Sequence, residues 1–169
     1  LAYMEQNRNY DFNNISCLLE GSDSLRLNGT KNLVLNGSNA NHFLVTVNHN
    51  DATSILIINK DTNGLSINNF KTVDDRRISQ INFENIEIKA DQIVATGDEA
   101  EQLMKDAINY GTLCVSAEAV GCMESCYLKT VEYTKSREQF GQPISNFQVL
   151  QHKMVDMFIE AELCKSLLY

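Results

Sequence analysis

Hydrophobic and polar positions follow two different periods along the chain, and the change comes near residue 97. In the first part, Ile81 and Phe83 alternate with polar neighbours, and Ile86 and Ile88 do the same. An apolar residue at every second position indicates a half-buried strand, and several short strands at this spacing favour an antiparallel sandwich or small barrel. The apolar runs predicted to form strands are 25–27, 33–35, 43–47, 54–58, 78–83 and 86–88.

Three Asn-Gly pairs lie between apolar runs, at 28–29, 36–37 and 63–64. Both residue types tolerate a positive φ, which tight turns require. We therefore expect the chain to reverse its direction at each pair.

The second part of the chain has a helical period. From Glu99 to about Arg137 apolar residues recur near helical spacing without a proline, which predicts one long helix. This helix should end at 140–143, and a second helix should follow with Ser145 as its N-cap. The short connection predicts antiparallel helices. The predicted fold class is therefore α+β, with an antiparallel β sandwich or barrel-like domain in residues 1–97 and two long antiparallel helices in residues 98–169.

Composition and charge exclude several classes of protein. The chain has 169 residues, of which 43% are hydrophobic and 21% charged, as is typical of a globular domain. Its 14 basic and 22 acidic residues give a net charge of −8, so nucleic acid is not an expected partner. No apolar run approaches the roughly 20 residues that span a bilayer, so we expect no membrane span. The apolar pattern continues up to Tyr169, and the chain begins at Leu1, which together predict a piece of a longer protein.

The cysteines indicate little about the function of the protein. Their number is five, and their spacing matches no disulfide framework or zinc signature, which favours a reducing compartment. Cys122 and Cys126 lie one helical turn apart and could bind a metal together with His152. Cysteine is more often a small buried hydrophobe, so we expect no metal site.

The segment from Arg137 to Gln151 carries the densest chemistry. It places an arginine at a helix end, Gln139 and an aromatic residue in a loop, and Gln148 near the start of the next helix. A fixed guanidinium and the free N–H groups of a helix start suit a phosphate or pyrophosphate. The alternative is that Arg137 caps its own helix and the loop is only a tight connection, and spacing alone favours this alternative.

A resemblance to a known family favours the phosphate site over a simple connection. Residues 137–151 read REQFGQPISNFQVLQ and resemble the acyl-CoA dehydrogenase signature R-x-Q-F-G-x-P-I-x-x-F-Q-x-x-Q. Three more segments resemble family motifs: 117–121 the A-E-x-x-G turn, 28–31 the N-G-x-K hairpin, and 81–88 the F-x-N-V-x-V strand. The resemblance implies that residues 1–97 are the family's middle β domain. Residues 98–169 would then be the first two helices, or half, of its four-helix bundle.

The family binds FAD between subunits, so the resemblance implies FAD as cofactor and a homo- or hetero-oligomer. The arginine and glutamine of the signature reach the FAD of the partner subunit, and they are Arg137 and Gln139 here, with Phe140 beside them. The residues that border the dinucleotide are matched by Phe147 and Gln148.

The flavin side departs from the family pattern. The family loop Y-x-x-T-E-P-x-x-G-S-D resembles residues 1–11, where Glu5 matches and Met4 stands at the hydroxyl position that bonds the flavin ring. The family's W-I-T corresponds to 33–35, so that Leu33 replaces the tryptophan and Leu35 the threonine. Each lost hydrogen bond is worth about 1 kcal/mol, so we expect weaker isoalloxazine binding. Backbone groups could hold the ring instead.

The resemblance also implies an acyl-CoA substrate. Asn109 aligns with an acidic residue that touches the pantetheine in some members, Thr112 with an arginine three residues later, and Tyr10 with the tyrosine of an Arg-Tyr-Asp variant. The catalytic base is a glutamate that most members carry outside the matched segment. A minority carry it at the position of Gly111, so we expect no catalytic base in this chain.

Two functions remain open at this point. The preferred one is an FAD-dependent acyl-CoA dehydrogenase that passes its electrons to an electron-transfer-flavoprotein-type acceptor, with this chain inactive by itself. The alternative is a catalytically inactive dehydrogenase-like subunit that contributes to a neighbour's FAD site. The apolar Met4, Leu33 and Leu35 favour the alternative, and the loop at Arg137 fits both. We expect a cytoplasmic location, or the mitochondrial matrix in a eukaryote.

Overall fold

A mixed sheet of seven strands forms most of the first half of the chain. The computed structural model describes residues 1–6, 14–22 and 24–169, and it contains two compact units, Leu1–Lys105 and Asp106–Tyr169. The strands of this sheet are β1 (Leu18–Glu20), β2 (Leu25–Leu35), β3 (His42–His49), β4 (Ala52–Asn59), β5 (Leu65–Lys71), β6 (Arg77–Ile88) and β7 (Ile93–Thr96).

The strand order is β5-β6-β2-β1-β3-β4-β7, and the pairing is mainly antiparallel, as the sequence predicts. One pair is parallel: β1 lies beside β3 with Leu18 opposite Asn48, and a parallel bridge joins Ala2 to Val45. Alternation of apolar residues shows which side chains are buried, but it carries no information about the direction of a neighbouring strand. The parallel pair was therefore not predicted.

The core of this unit is built from the inward faces of five strands. Leu19 on β1, Leu27 on β2, Val45 on β3, Leu56 on β4 and Ile81 on β6 are buried in one hydrophobic cluster. Strands that are separated in the sheet therefore share one core. The period-two pattern at 81–88 is confirmed, since the alternating apolar side chains of β6 all point into the cluster.

The Asn-Gly pair at 28–29 does not form the predicted turn. It lies within β2, opposite an extra residue of β6, where Asn85 has a positive φ and donates its N–H to Asn28 Oδ1 at 2.7 Å. A Cβ on Gly29 would lie 2.5 Å from Cys17 Sγ, so the glycine is needed for close packing. An Asn-Gly pair favours a positive φ, and a β-bulge can require this conformation just as a turn does.

The other two Asn-Gly pairs are turns, as predicted. Asn36 has a φ of 54° at the end of β2, and Gly64 has a φ of 89° before β5. The sequence did not predict β5 itself. Its residues, LSINNFK, contain no apolar run, and only Leu65 and Ile67 are half-buried, because β5 lies at the edge of the sheet.

Two helices and a small hairpin make up the rest of the chain. Helix α1 is Asp98–Ser136, and helix α2 is Gln148–Leu168. Between them lie the two-residue strands β8 (Glu138–Gln139) and β9 (Gln142–Pro143) and a short 3-10 turn at Ile144–Asn146. Ser145 lies in that turn, so the expectation that it caps α2 was wrong, and Phe147 occupies the N-cap position.

The antiparallel arrangement of the helices is confirmed by contacts along their length. Thr134 Oγ1 lies 3.2 Å from Met154 Sδ, the Tyr127 and Phe158 rings lie 5.6 Å apart, and Lys165 Nζ lies 3.5 Å from Glu124 Oε1. The residue numbers of these contacts decrease along α1 as they increase along α2, so the two helices run in opposite directions.

Among the described residues, no helix is long and apolar enough to cross a membrane.

Candidate functional site

The predicted site residues fall into three groups in the structure. The loop between the helices holds Arg137, Gln139, Phe140, Phe147 and Gln148. The sheet unit holds a second group, and the middle of α1 holds the third. Tyr10 lies outside the described residues. The second group is Met4, Glu5, Leu33 and Leu35, and the third is Asn109 and Thr112.

The loop between the helices is a miniature β-hairpin. Strands β8 and β9 pair with Gln139 opposite Gln142, and Phe140 and Gly141 both have positive φ at the tip. Two consecutive residues with positive φ form the turn type that two-residue hairpins prefer. The Ile144 N–H donates to Arg137 O at 2.8 Å, which fixes the position where the chain leaves α1.

Positive charge and free donors meet at this hairpin. The Arg137 guanidinium is exposed and has no ion pair or hydrogen bond among the described residues. Phe147 supplies no side-chain cap for α2, and its carbonyl already accepts the N–H groups of Leu150 and Gln151. The N–H groups of Gln148 and Val149 are therefore the ones left for another acceptor among the described residues. A guanidinium and a helix N-terminus attract anions, so the arrangement suits a phosphate group.

An aromatic pair stands beside these donors. The Phe140 and Phe147 rings lie 6.1 Å apart in an edge-to-face arrangement, and Phe140 is 91% exposed. The Gln139 amide donates to Glu138 O at 2.8 Å, and Gln148 is exposed at the first position of α2. An exposed phenylalanine at a rigid hairpin tip gives a planar ligand or a partner protein an apolar surface.

The second group surrounds a bulge in β2. The pairing of β2 with β6 shifts between Lys31 and Val34, and Leu33 has a φ of 52°. The Asn32 N–H donates to Met4 O at 2.8 Å, which places Met4 beside the bulge. Leu33 is 50% exposed and Leu35 66% exposed, so the bulge presents apolar side chains at the surface. A leucine with positive φ is strained, and such strain is often found at functional sites.

A buried ion pair lies beneath this bulge. Lys31 Nζ lies 2.6 Å from Glu5 Oε1, and both side chains are almost completely buried. Lys31 also donates to Thr46 Oγ1 at 3.0 Å, while Glu5 accepts the N–H of Ser16 at 2.8 Å and of Cys17 at 3.1 Å. The Ser16 hydroxyl also donates to Glu5 Oε2. The pair therefore connects β2, β3, the segment 1–6 and the segment that begins at Asn14.

The protonation states in this cluster follow from its contacts. Burial by itself raises the pKa of Glu5, but the hydrogen bonds from Lys31 and Ser16 and the charge of Lys31 outweigh it, so the pKa lies below its ordinary value. Burial raises the pKa of Cys17 to about 12; the Lys31 charge opposes this rise, and the Glu5 charge adds to it. Glu5 is thus ionised, and the Cys17 thiol stays protonated and unreactive.

Glu5 differs from the other members of its group. Both of its carboxylate oxygens bind groups inside the protein, so the side chain holds the bulge in place rather than facing outward. The sequence did not identify Thr46 and Ser16 as part of this cluster. A lysine within an otherwise apolar strand is the signal that could have found it, because a buried cation requires an anion and further acceptors.

The third group lies far along α1 from the loop. Asn109 and Thr112 line an open apolar depression of about 520 Å³ together with residues of both helices, including Leu113, Met123 and Leu168. Asn109 and Arg137 are 28 positions apart. At a rise of about 1.5 Å per residue the separation is about 42 Å, so one small ligand does not contact both within one chain.

The remaining candidate residues have structural or solvent-exposed positions. Glu124 pairs with Lys165, and Gly111 offers no side chain for proton transfer. Cys122 and Cys126 are exposed rather than buried. Across residues 1–6, 14–22 and 24–169, no group of three or more His, Cys, Asp or Glu side chains is arranged for a metal ion.

Comparison with known proteins finds similarity to acyl-CoA dehydrogenases. A family model described as the C-terminal domain of acyl-CoA dehydrogenase matches residues 101–169. The chain is 28% identical over 158 residues to the probable acyl-CoA dehydrogenase YngJ of Bacillus subtilis, covering 88% of this chain and 42% of that protein. It is 28% identical over 178 residues to the mitochondrial isovaleryl-CoA dehydrogenase of Oryza sativa, covering 100% of this chain and 44% of that protein.

The solved structures agree with these relatives. The structure of PigA with FAD and proline superposes with a TM-score of 0.93 at 27% identity, covering 99% of this chain and 46% of that one. The chain spans less than half the length of each of these three proteins.

The buried ion pair predicts a strong dependence of stability on its partners. Replacing Lys31 by methionine leaves the Glu5 carboxylate buried without a cation, and we expect a loss of about 3–5 kcal/mol in the free energy of unfolding. The double variant K31M/E5Q should lose clearly less than the sum of the single variants. Denaturant unfolding measures both. The control is Lys71→Met, which removes an exposed ion pair with Asp75 and should cost less than about 1 kcal/mol. Additive single effects would contradict the coupling.

The lowered pKa of Glu5 predicts a pH dependence with a definite sign. Below its ordinary pKa of 4.5 the unfolded chain takes up a proton at Glu5 that the folded chain still excludes. The stability that this group contributes is therefore complete above that pH and is lost as the pH falls further toward the lower folded pKa. Unfolding measured across this range should show the wild-type advantage over Glu5→Gln shrinking on acidification. An advantage that grows on acidification would contradict this assignment.

Proposed function

We propose that this chain belongs to the acyl-CoA dehydrogenase family and forms part of an FAD-dependent dehydrogenase that acts on an acyl-CoA thioester, because its family match and its relatives all support this. The observation that carries the proposal is the hairpin at Arg137, with its unpaired guanidinium, free helix start and exposed aromatic pair. When bound, FAD supplies the hydride acceptor for α,β-dehydrogenation. We expect the reaction in the cytoplasm, or in the mitochondrial matrix of a eukaryotic cell.

The hairpin fits the phosphate end of the cofactor. Arg137 offers a fixed charge with several donors, and the N-terminus of α2 adds N–H groups aimed in one direction. Gln139 and Gln148 would supply further amide donors, and Phe140 and Phe147 would border the dinucleotide. The chemistry of this donor set is what a pyrophosphate requires.

The bulge in β2 fits the ring end of the cofactor less completely. Leu33 and Leu35 offer exposed apolar surface against which a flat ring can pack, with Met4 beside them. None of the three side chains can donate a hydrogen bond. Backbone groups of the bulge would therefore have to orient the ring, and the buried Glu5–Lys31 pair keeps that backbone in position.

The length of α1 supports an oligomer. Asn109 and Thr112, which we propose as substrate contacts, line the apolar depression about 40 Å from Arg137. If these residues and Arg137 all serve FAD-dependent chemistry, they serve different active sites. We therefore propose a homo- or hetero-oligomer in which Arg137 and Gln139 reach a cofactor held mainly by a neighbouring subunit. An electron-transfer-flavoprotein-type acceptor would reoxidise the reduced cofactor.

A second candidate function is favoured by the apolar bulge. A subunit with Met4, Leu33 and Leu35 at the flavin side, and glycine at position 111, would hold flavin poorly and would lack a base there. Such a subunit could lend Arg137 to a neighbour while doing no chemistry itself. The two candidates differ in whether the protein acquires flavin without a second kind of subunit.

Absorption spectroscopy separates the two candidates. We expect the complete natural protein to show a flavin band that bleaches on addition of an acyl-CoA thioester, because substrate oxidation reduces the flavin. A protein that is colourless alone and gains the band only with a second subunit would support the partner function instead. A protein that binds no flavin in either state would reject both candidates.

The role of Arg137 predicts a specific loss of affinity. Arg137→Met removes charge-assisted hydrogen bonds worth about 1.5–3 kcal/mol, so we expect FAD binding to weaken by about 10- to 100-fold. Titration of the apoprotein with FAD measures this. The matched control is Lys135→Met, which removes an exposed charge from the last turn of α1 and should change the affinity less than threefold. Equal effects of the two variants would mean that only net charge matters.

A further inference from the structure

The turn between β4 and β5 presents an exposed Asn-Gly pair. The Leu65 N–H donates to Thr62 O at 3.1 Å, which closes a β-turn with Asn63 and Gly64 at its two central positions. Asn63 is exposed, and Gly64 has a φ of 89°. Within the part of the chain that the structure describes, neither the Asn63 side chain nor the Gly64 N–H has a hydrogen-bond partner.

These features are what spontaneous deamidation requires. The backbone nitrogen of Gly64 loses its proton and attacks Cγ of Asn63, the Cγ–Nδ2 bond breaks, and the amide nitrogen leaves as ammonia. Water then opens the resulting succinimide to aspartate or isoaspartate, so water is the other reactant. A hydrogen bond to the attacking N–H or to the asparagine amide slows the reaction, and glycine favours it because no Cβ obstructs the attack.

The same dipeptide at 28–29 is protected. Asn28 lies within β2 opposite Leu18, and its Oδ1 accepts the Asn85 N–H at 2.7 Å. Gly29 is packed so closely against Cys17 that a Cβ there would lie 2.5 Å from the sulfur. The reaction at Asn28 therefore requires the sheet to open locally.

The pair at 36–37 is also restrained. The Asn36 N–H donates to Arg77 O at 2.8 Å, and the Asn36 Oδ1 accepts the Asn39 amide at 2.9 Å. Gly37 is buried against Ser79. Both the side chain and the backbone of this pair are thus held by their neighbours.

We propose that Asn63 is a deamidation site of this protein, selected from three identical Asn-Gly pairs by the fold. Conversion adds one negative charge, and the isoaspartate product adds one methylene to the main chain. The Glu84 N–H donates to Gly64 O at 2.9 Å, and Leu65 lies opposite Phe83. The longer main chain disturbs this first contact of β5 with β6. Because β5 is an edge strand, the effect stays at that edge of the sheet.

Peptide mass spectrometry on the complete natural protein tests the proposal. The protein is incubated at mildly alkaline pH, and the amide-to-acid conversion at each Asn-Gly pair is followed with time, both folded and in denaturant. In the folded protein Asn63 should convert at least about tenfold faster than Asn28 and Asn36, since each 1.4 kcal/mol of local opening slows a protected pair tenfold. In denaturant the three rates should converge.

A variant pair provides the control. Asn63→Gln should remove most isoaspartate from the folded protein, whereas Asn36→Gln should leave the amount nearly unchanged. The proposal is overturned if Asn28 or Asn36 converts as fast as Asn63 in the folded protein. The comparison of folded and denatured wild type decides the matter even if a variant fails to fold.

Discussion

The ion pair between Lys31 and Glu5 is the contact on which the site in the sheet unit depends. It is removed from solvent, and its cost of desolvation is offset only because Thr46, Ser16 and Cys17 satisfy the remaining donors and acceptors. Two chain segments far apart in sequence are joined through it. The bulge that presents Leu33 lies directly after Lys31, so the position of the proposed flavin surface follows from the geometry of this buried pair.

Helix length is the second constraint on function. Helix α1 runs without interruption for 39 residues, so Asn109 in its N-terminal third and Arg137 just beyond its end stay about 40 Å apart. A rigid element of this length can contribute to two active sites but cannot bring these two residues to one small ligand. The proposal of an oligomer therefore rests on backbone geometry in addition to family resemblance.

Residues with a positive φ lie where the regular course of a strand or helix is interrupted. Leu33 and Asn85 form bulges, Phe140 and Gly141 form the hairpin tip, and Gly64 forms the exposed turn. The same local preference thus serves different purposes. The surroundings decide which purpose applies, because a bulge needs a strand paired alongside it and an exposed turn does not.

Local patterns were sufficient to predict the change from strands to helices, the start of α1 within one residue, and the loop that carries Arg137, because hydrophobic period and helix signals act over short distances. The stop expected at 140–143 lies beyond the observed end at Ser136, because β8 already begins at Glu138. They did not predict the parallel pair of β1 and β3, the edge strand β5, or the bulge at Asn28-Gly29. Each of these depends on which strand lies alongside, and that is a long-range property. The sequence by itself determined which residues form the helix connection that we propose as a phosphate site. Only the tertiary structure decided that Glu5 faces Lys31 and that Asn28 and Asn36, but not Asn63, have hydrogen-bonded side chains among the described residues. Both outcomes depend on which residues the fold brings alongside.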